Sequence, residues 1–432
     1  MKDALGLELT GANGAGLAAY QQALDAFRCF RGDPAALAAQ AIAASPEMPM
    51  AHLLQAWLHL LGTEPAGLEV ARAACEAAAA LPANARERMH LEAARHLAHG
   101  RWHEAGRVLE DLSILFPRDL LALQAGHQVD FFTGDARMLR DRLARALPAW
   151  QRGMPGLHAV LGMHAFGLEE CGDYAQAERQ GRQAVELEPA DGWAWHAVAH
   201  VHEMRNEPAA GAAWLGANSH AWAPDSFLAV HNWWHLALFQ LELGREDEVL
   251  RLYDEAIATG SAVMLDLVDA SAMLWRLHLR GVDVGGRWEP VADLWQSAGQ
   301  PGLYAFNDLH MMMAFTATGR AAAAAGVLQA QAEAMRREDD NARFTAAVGA
   351  PAARAVQAFA DGDHAGCVRL LRSIRSGAQR FGGSHAQRDV LDLTLLEAAR
   401  RGGMAPLAAA LQAERIALRP RTRQAAPLAL AA

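Results

Sequence analysis

A helix-stopping glycine recurs along this 432-residue chain at nearly constant spacing. It stands as Gly100-Arg101-Trp102 with Ala105, Gly134-Asp135, Gly172-Asp173-Tyr174 with Ala177, Gly244-Arg245, Gly319-Arg320 and Gly362-Asp363. The step from Gly100 to Gly134, taken again from Gly172, lands on Asn206, a residue that can replace glycine in a left-handed stop. Slightly longer steps, from Gly134 to Gly172 and from Asn206 to Gly244, require a short insertion. Pro117 follows Gly100 at the same distance as Pro189 follows Gly172. Between stops, apolar residues recur every three or four positions, Ala, Leu, Arg, Glu and Gln dominate, and no useful alternating pattern appears. The chain reads as all-α.

A 34-residue helix-turn-helix unit is the tetratricopeptide period. With His158 as position 1, Gly172, Tyr174, Ala177, Ala184 and Pro189 fall at positions 15, 17, 20, 27 and 32. A unit beginning at Gly192 puts Trp195 at position 4 and Leu215 at position 24, with Pro224 one place late. One hairpin cannot bury its apolar face alone, so neighbours must stack into a continuous core. We expect a tetratricopeptide-like α-solenoid, a right-handed superhelix of degenerate 34–38-residue repeats over residues 1–418, clearest at 86–260. Its first 50 residues are expected to cap the array. The rhythm is lost between Ser261 and Pro301, where a helical stretch to Arg280 meets the Gly-rich GVDVGGRWEP, and the tail 419–432 is expected to fray.

Hydrophobic residues make up 52% of the chain and charged ones 20%, enough for a continuous core and against general disorder. The net charge of -10 is diffuse, without the clustered Lys or Arg that phosphate contacts require, so no nucleic-acid partner is expected. Lys2 is the only lysine, which excludes both the P-loop and Schiff-base catalysis by an internal lysine. Cys29, Cys75, Cys171 and Cys367 lie far apart with no C-x-x-C, and we expect small buried thiols in a reducing compartment. Acids interrupt MKDALGLEL where a signal peptide would be apolar, and no run reaches the ~18 apolar residues of a membrane span. A cytoplasmic protein with no membrane partner is the expectation; its oligomeric state stays open.

Eight of the 19 histidines fall between His158 and His235. His196, His200 and Glu203, at i, i+4 and i+7, share one helix face, and His231 and His235 form a second i, i+4 pair one repeat later. Such pairs on adjacent helices, with a carboxylate nearby, can hold Zn or Fe, so His196, His200, His231 and His235 are candidate ligands of a divalent transition metal. In tetratricopeptide arrays, positions 2, 5, 9 and 12 of the first helix face the groove; here these are Trp193, His196, His200 and Glu203, and Glu169 is position 12 of the unit before.

Trp193 and Trp233 are therefore candidate pocket aromatics, whereas Trp195, Trp234 and His202 read as packing residues. The bland alternative is that these histidines only pack and hydrogen-bond, and the zincin motif H-E-x-x-H is absent. FNDLHMMMAF adds Asp308 and His310 as candidate ligand contacts, and GGSHAQRDV adds His385 and Arg388, the latter a natural carboxylate or phosphate anchor. The bland reading of Asn307 or Asp308, and of Ser384, is helix capping.

GMHAFGLEECGDYAQAE, DGWAWHAVAHVHEMRNEPAAGAAWL, HNWWHLALFQLELGREDEVLRLYDEAI, FNDLHMMMAF and GGSHAQRDV, in that order, resemble the signature blocks of the tetratricopeptide repeat protein 38 family. The similarity spans most of the chain and is weakest before about Val70. It implies an atypical cytosolic tetratricopeptide protein and carries no activity with it.

Three functions follow from the residues. The first is a protein that binds a small molecule or short peptide in a His- and Trp-rich concave pocket. The second is a metal-dependent or acid–base enzyme using the same pocket, with His196, His200, Glu203 or Glu169 as catalytic groups. The third is a protein scaffold, disfavoured in its lysine-clamp form because only one lysine is present.

Overall fold

The computed structural model describes residues 1–418, so the tail 419–432 lies outside the described residues. Among these the chain is all-α and tetratricopeptide-like, and its extended pairing is confined to two isolated bridges, Lys2 with Glu8 and Arg31 with Ser226. The sequence punctuation translates directly into backbone geometry. Gly100, Gly134, Gly172, Gly244, Gly319 and Gly362 all have φ between +66° and +84°, and Asn206 takes the same left-handed turn at +54°. An L-residue pays a steric penalty there that glycine avoids and asparagine tolerates.

The helices divide into two compact units. The first comprises Met1–Val198 and Asn218–Ala229; the second comprises Ala199–Ala217 and the described residues from Val230 on. The first unit is a series of hairpins: Gly14–Cys29 with Pro34–Ala44, Pro49–Leu60 with Gly67–Ala79, Ala85–Ala98 with Trp102–Leu115, Leu120–Thr133 with Ala136–Ala146, and Leu157–Glu170 with Tyr174–Leu187. Its N-terminal segment lies on the Ala85 helix, where Thr10 N–H donates to Glu87 Oε1 at 2.9 Å and Arg86 Nη2 to the Glu8 carbonyl at 2.8 Å. Residues 218–229 return to this unit through Phe227 N–H to the Phe30 carbonyl and Gly32 N–H to the Asp225 carbonyl, both 2.9 Å.

The second unit holds the Ala229–Glu242 helix, then Glu246–Leu252, which widens into a π-turn over Tyr253–Ile257. Met264–Leu279 with Trp288–Ala298, Ala305–Ala317 with Ala321–Ala334, Ala350–Ala360 with His364–Ile374, and His385–Arg401 with Ala405–Leu418 follow. The stretch whose rhythm fails in sequence, Ser261 to Pro301, is thus still a helical hairpin. Its first helix is apolar on most sides because Leu267, Val268, Ala270, Met273, Leu274, Trp275 and Leu277 are all buried, which blurs the amphipathic signal.

Two further expectations are corrected. Asn307 and Asp308 are not caps: the Ala305 helix begins after Tyr304, and both residues lie inside its first turn. Ser384 is a cap, forming a capping box in which its hydroxyl accepts from Gln387 N–H at 3.2 Å while Gln387 Oε1 accepts from Ser384 N–H at 3.0 Å. The four thiols are free, but only Cys75 and Cys367 are buried, and Cys171 is exposed beside the Gly172 stop, where the chain turns outward.

Candidate functional site

First helices of successive repeats are joined by His–Asp contacts that recur along the chain. In the first unit, His90 Nε2 donates to Asp119 Oδ2 at 2.9 Å while its Nδ1 accepts from Trp57 Nε1 at 3.2 Å. Arg86 Nη1 adds a 2.7 Å ion pair to the same carboxylate. Burial alone would push Asp119 up, but His90 and Arg86 more than offset it and hold the carboxyl well below its ordinary range. In the next such contact, His158 Nδ1 donates to Asp191 Oδ2 at 2.7 Å, and Asp191 Oδ1 accepts from Ala194 N–H, starting the Gly192–Met204 helix. The second unit repeats the arrangement with His231 Nδ1 donating to Asp269 Oδ2 at 2.7 Å.

Among the described residues, this third contact is the one that belongs to a histidine cluster. His235 lies one turn along the Ala229 helix, its ring centroid 4.9 Å from that of His231, and His200 on the Gly192 helix stands 4.5 Å from His235. One ligand-capable nitrogen from each of His200, His231 and His235 lies within 4.8 Å of the others. Around a tetrahedral ion with bonds of about 2.1 Å, ligand nitrogens stand about 3.4 Å apart, so the three would have to draw closer to share one metal.

With Nδ1 of His231 held on Asp269, Nε2 would be the nitrogen to bind such an ion, in the carboxylate–histidine–metal order typical of metal sites. Trp234 stacks on His231 at 5.4 Å and 10°, and the Arg276 guanidinium lies over the Trp234 ring at 5.2 Å. Burial, then the neighbouring His200, His231 and Arg276, hold His235 well below the ordinary imidazole range, so it is neutral, the form that ligates.

The remaining sequence candidates separate by environment. His196, one turn before His200, belongs to the first unit, where its ring stacks on Phe166 at 5.4 Å and 25° and packs against Trp193 at 4.7 Å. Trp193 stands in an aromatic cluster with Phe30 at 5.5 Å, His127 at 5.6 Å and Phe166 at 5.1 Å. The cavity beside it, lined also by Arg28, Gln124 and Asp191, measures about 10 Å³, room for one water.

Glu169 and Glu203 are buried near the ends of their helices, and Trp233 is half-buried. Trp195 is buried, donating Nε1 to the Pro189 carbonyl at 2.9 Å, Trp234 is fully buried, and His202 Nδ1 pairs with Glu207 at 3.1 Å.

The two later candidate stretches lie in the second unit, where several of their polar atoms make local hydrogen bonds. His310 Nδ1 donates to the Phe306 carbonyl at 2.8 Å, and burial lowers its pKa to about 4. Asp308 Oδ1 accepts from Gly302 N–H at 2.9 Å and Oδ2 from Gln331 Nε2 at 3.2 Å, and burial raises its carboxyl to about 7. Arg388 donates to the carbonyl of Gly383, and His385 opens its helix half-buried.

Asp269 was not singled out by sequence. The available signal was an acid in the otherwise apolar run LVDASAMLW, far along the chain from its histidine partner.

No known family model matches the chain. Among solved structures, it is similar to a chain of a Naa15/Naa10 complex bound to HypK-THB, at 12% identity and TM-score 0.27, over 94% of this chain and 64% of that one. It is also similar to the tetratricopeptide domain of P58(IPK), at 14% identity and TM-score 0.22, over 90% of this chain and 98% of that one. The chain thus spans less than two thirds of the first of these.

Proposed function

We propose that this tetratricopeptide-like protein binds a divalent first-row transition metal, zinc or iron, through His200, His231 and His235, with Asp269 orienting His231. The convergence of three ligand-capable nitrogens within 4.8 Å is the observation that carries this reading. Neutral imidazoles of this number suit Zn and Fe(II) better than the oxygen-seeking Mg or Ca. The ion would supply Lewis-acid polarisation or an activated water, and Glu203, three residues after His200 on the same helix, is the nearest acid in sequence to accept a proton. The block resemblance to the tetratricopeptide repeat protein 38 family belongs with this proposal, which would make the histidine blocks a metal signature. The repeat fold by itself equally supports an interaction scaffold, and a peptide or protein partner is compatible with it.

Plasma mass spectrometry on the full chain, purified without a histidine tag or chelator, tests the reading. We expect Zn or Fe near one equivalent, lost in His200→Ala and His235→Ala variants that keep the wild-type circular dichroism spectrum. A His196→Ala variant reports whether that imidazole is also required. At metal concentrations of 100 times Kd, binding should stabilise the fold by about 2.7 kcal/mol. Metal-free wild-type protein whose melting temperature does not move with added Zn²⁺ or Fe²⁺ would sink the proposal.

A further inference from the structure

The second unit contains a cleft that none of the sequence candidates touches. Its volume is about 230 Å³, and it lies among the π-turn Tyr253–Ile257, the following loop to Ser261, the Met264–Leu279 helix and the start of the Trp288–Ala298 helix. The walls are apolar, formed by Ile257, Leu267, Ala270, Val291 and Leu294. Drug-sized ligands occupy roughly 300–1,000 Å³, so this space suits a fragment-sized molecule.

Two polar side chains line the cleft, one without a hydrogen-bond partner and one without a counter-charge. Tyr253 is 1% exposed and its hydroxyl has no hydrogen-bond partner among the described residues, although a buried hydroxyl ordinarily finds one. It sits at the head of a π-turn, a distortion that recurs at functional sites. Asp266, which lines the same cleft, receives a hydrogen bond from the Ser261 hydroxyl and no cation among the described residues. Its side chain is half-buried, and burial, only partly relieved by the Ser261 hydrogen bond, raises its carboxyl to about 6.

Among the described residues lining the cleft, Arg287 is the sole cation, and it is committed. Its Nε and Nη2 lie 2.7 Å from the two oxygens of Asp254, and its Nη1 donates to the Val284 carbonyl at 3.0 Å.

We propose that this cleft is a binding site for a small organic cation, a primary amine carried on an apolar body. The ammonium supplies the charge Asp266 lacks and N–H donors for both Asp266 and the Tyr253 oxygen, while the body displaces water from Ile257, Leu267, Ala270, Val291 and Leu294. An anion of the same shape would meet Asp266 and Asp254, and a neutral alcohol would leave the half-buried Asp266 carboxylate without a counter-charge. The proposal does not depend on metal at the histidine cluster.

Benzylamine, with benzyl alcohol and benzoate as neutral and anionic controls of the same shape, tests it by methyl NMR titration of the full chain. Benzylamine should shift the Leu267, Val291 and Leu294 methyl signals with saturable binding, benzyl alcohol should bind at least tenfold more weakly, and benzoate should not bind. Asp266→Asn should weaken benzylamine tenfold or more and bring it level with the alcohol. Tyr253→Phe, which removes only the hydroxyl, should weaken it by a smaller factor. Equal binding of amine and alcohol, or unchanged affinity in folded Asp266→Asn, overturns the proposal. Should Asp266→Asn not fold, absence of methyl shifts with benzylamine in the wild-type protein overturns it as well.

Discussion

Replacing Asp269 with Asn tests whether the His231 contact serves a metal or only the fold. Asp269 Oδ2 lies 2.7 Å from His231 Nδ1, and its side chain is 2% exposed, so little solvent screens the pair. A hydrogen bond to a charged group contributes about 1.5–3 kcal/mol, and Asn retains an acceptor oxygen while losing the charge. The metal-free protein should therefore lose only part of that, about 1 kcal/mol. A metal on Nε2 draws electron density from the ring and makes its Nδ1–H a stronger donor, so the carboxylate contributes more when metal is bound. Removing such an outer partner typically weakens metal binding 10- to 100-fold, which is about 1.4–2.7 kcal/mol beyond the effect on the fold.

Competition against a chromophoric chelator measures the affinity, and urea unfolding of the metal-free protein measures the stability. Asp191→Asn is the internal control, because His158 holds Asp191 at the same 2.7 Å without such a histidine cluster of its own. That variant should lose stability and leave metal affinity unchanged. If Asp269→Asn and Asp191→Asn alter metal affinity equally, or neither alters it, the assignment of His231 as a ligand is wrong.

Asp308→Asn should flatten the pH dependence of stability. Burial raises the Asp308 carboxyl to about 7, so between about pH 4 and 7 the folded state holds a proton that the unfolded state has released. The wild-type protein should thus lose about 1.4 kcal/mol per pH unit relative to the variant as pH rises through this window. Asn keeps the acceptor for Gly302 N–H and can donate to Gln331 Oε1, which has no partner with Asp308 ionised, so parallel stability–pH curves would contradict the burial argument. Gly167→Ala should cost about 1–3 kcal/mol or more, because the new Cβ would sit 2.4 Å from the backbone carbonyl of Leu139, and helix backbone yields less readily than a side chain. Thermal unfolding indistinguishable from wild type would refute that close approach.

The stops, the hairpins and the histidine-bearing faces were legible because they depend on local geometry. The positive φ of Gly172 and Asn206 is a property of one residue, and the His231–His235 relation is a property of one helix. What the spacing could not give was which later helix meets each face. Asp269 reaches His231 from 38 residues away, so no periodicity within either helix announces the pair. Trp193 illustrates the converse limit: its register position matches a groove residue, but Phe30, Phe166 and His127 surround it. Asn307 and Asp308 have capping chemistry, yet the helix starts earlier, at Ala305, and Asp308 instead tethers the preceding loop through Gly302.

The three His–Asp contacts can also be regarded as versions of one joint, an imidazole held on the carboxylate of a later helix. At His90 the second ring nitrogen is sealed by Trp57, whereas the His231 ring stands among other histidines. The carboxylate side maintains the spacing of the helices, so the opposite side can change with little effect on assembly. An array built from such joints separates the demands of folding from those of reactivity: a substitution behind one ring can create or erase a site while the neighbouring joints hold the backbone in place.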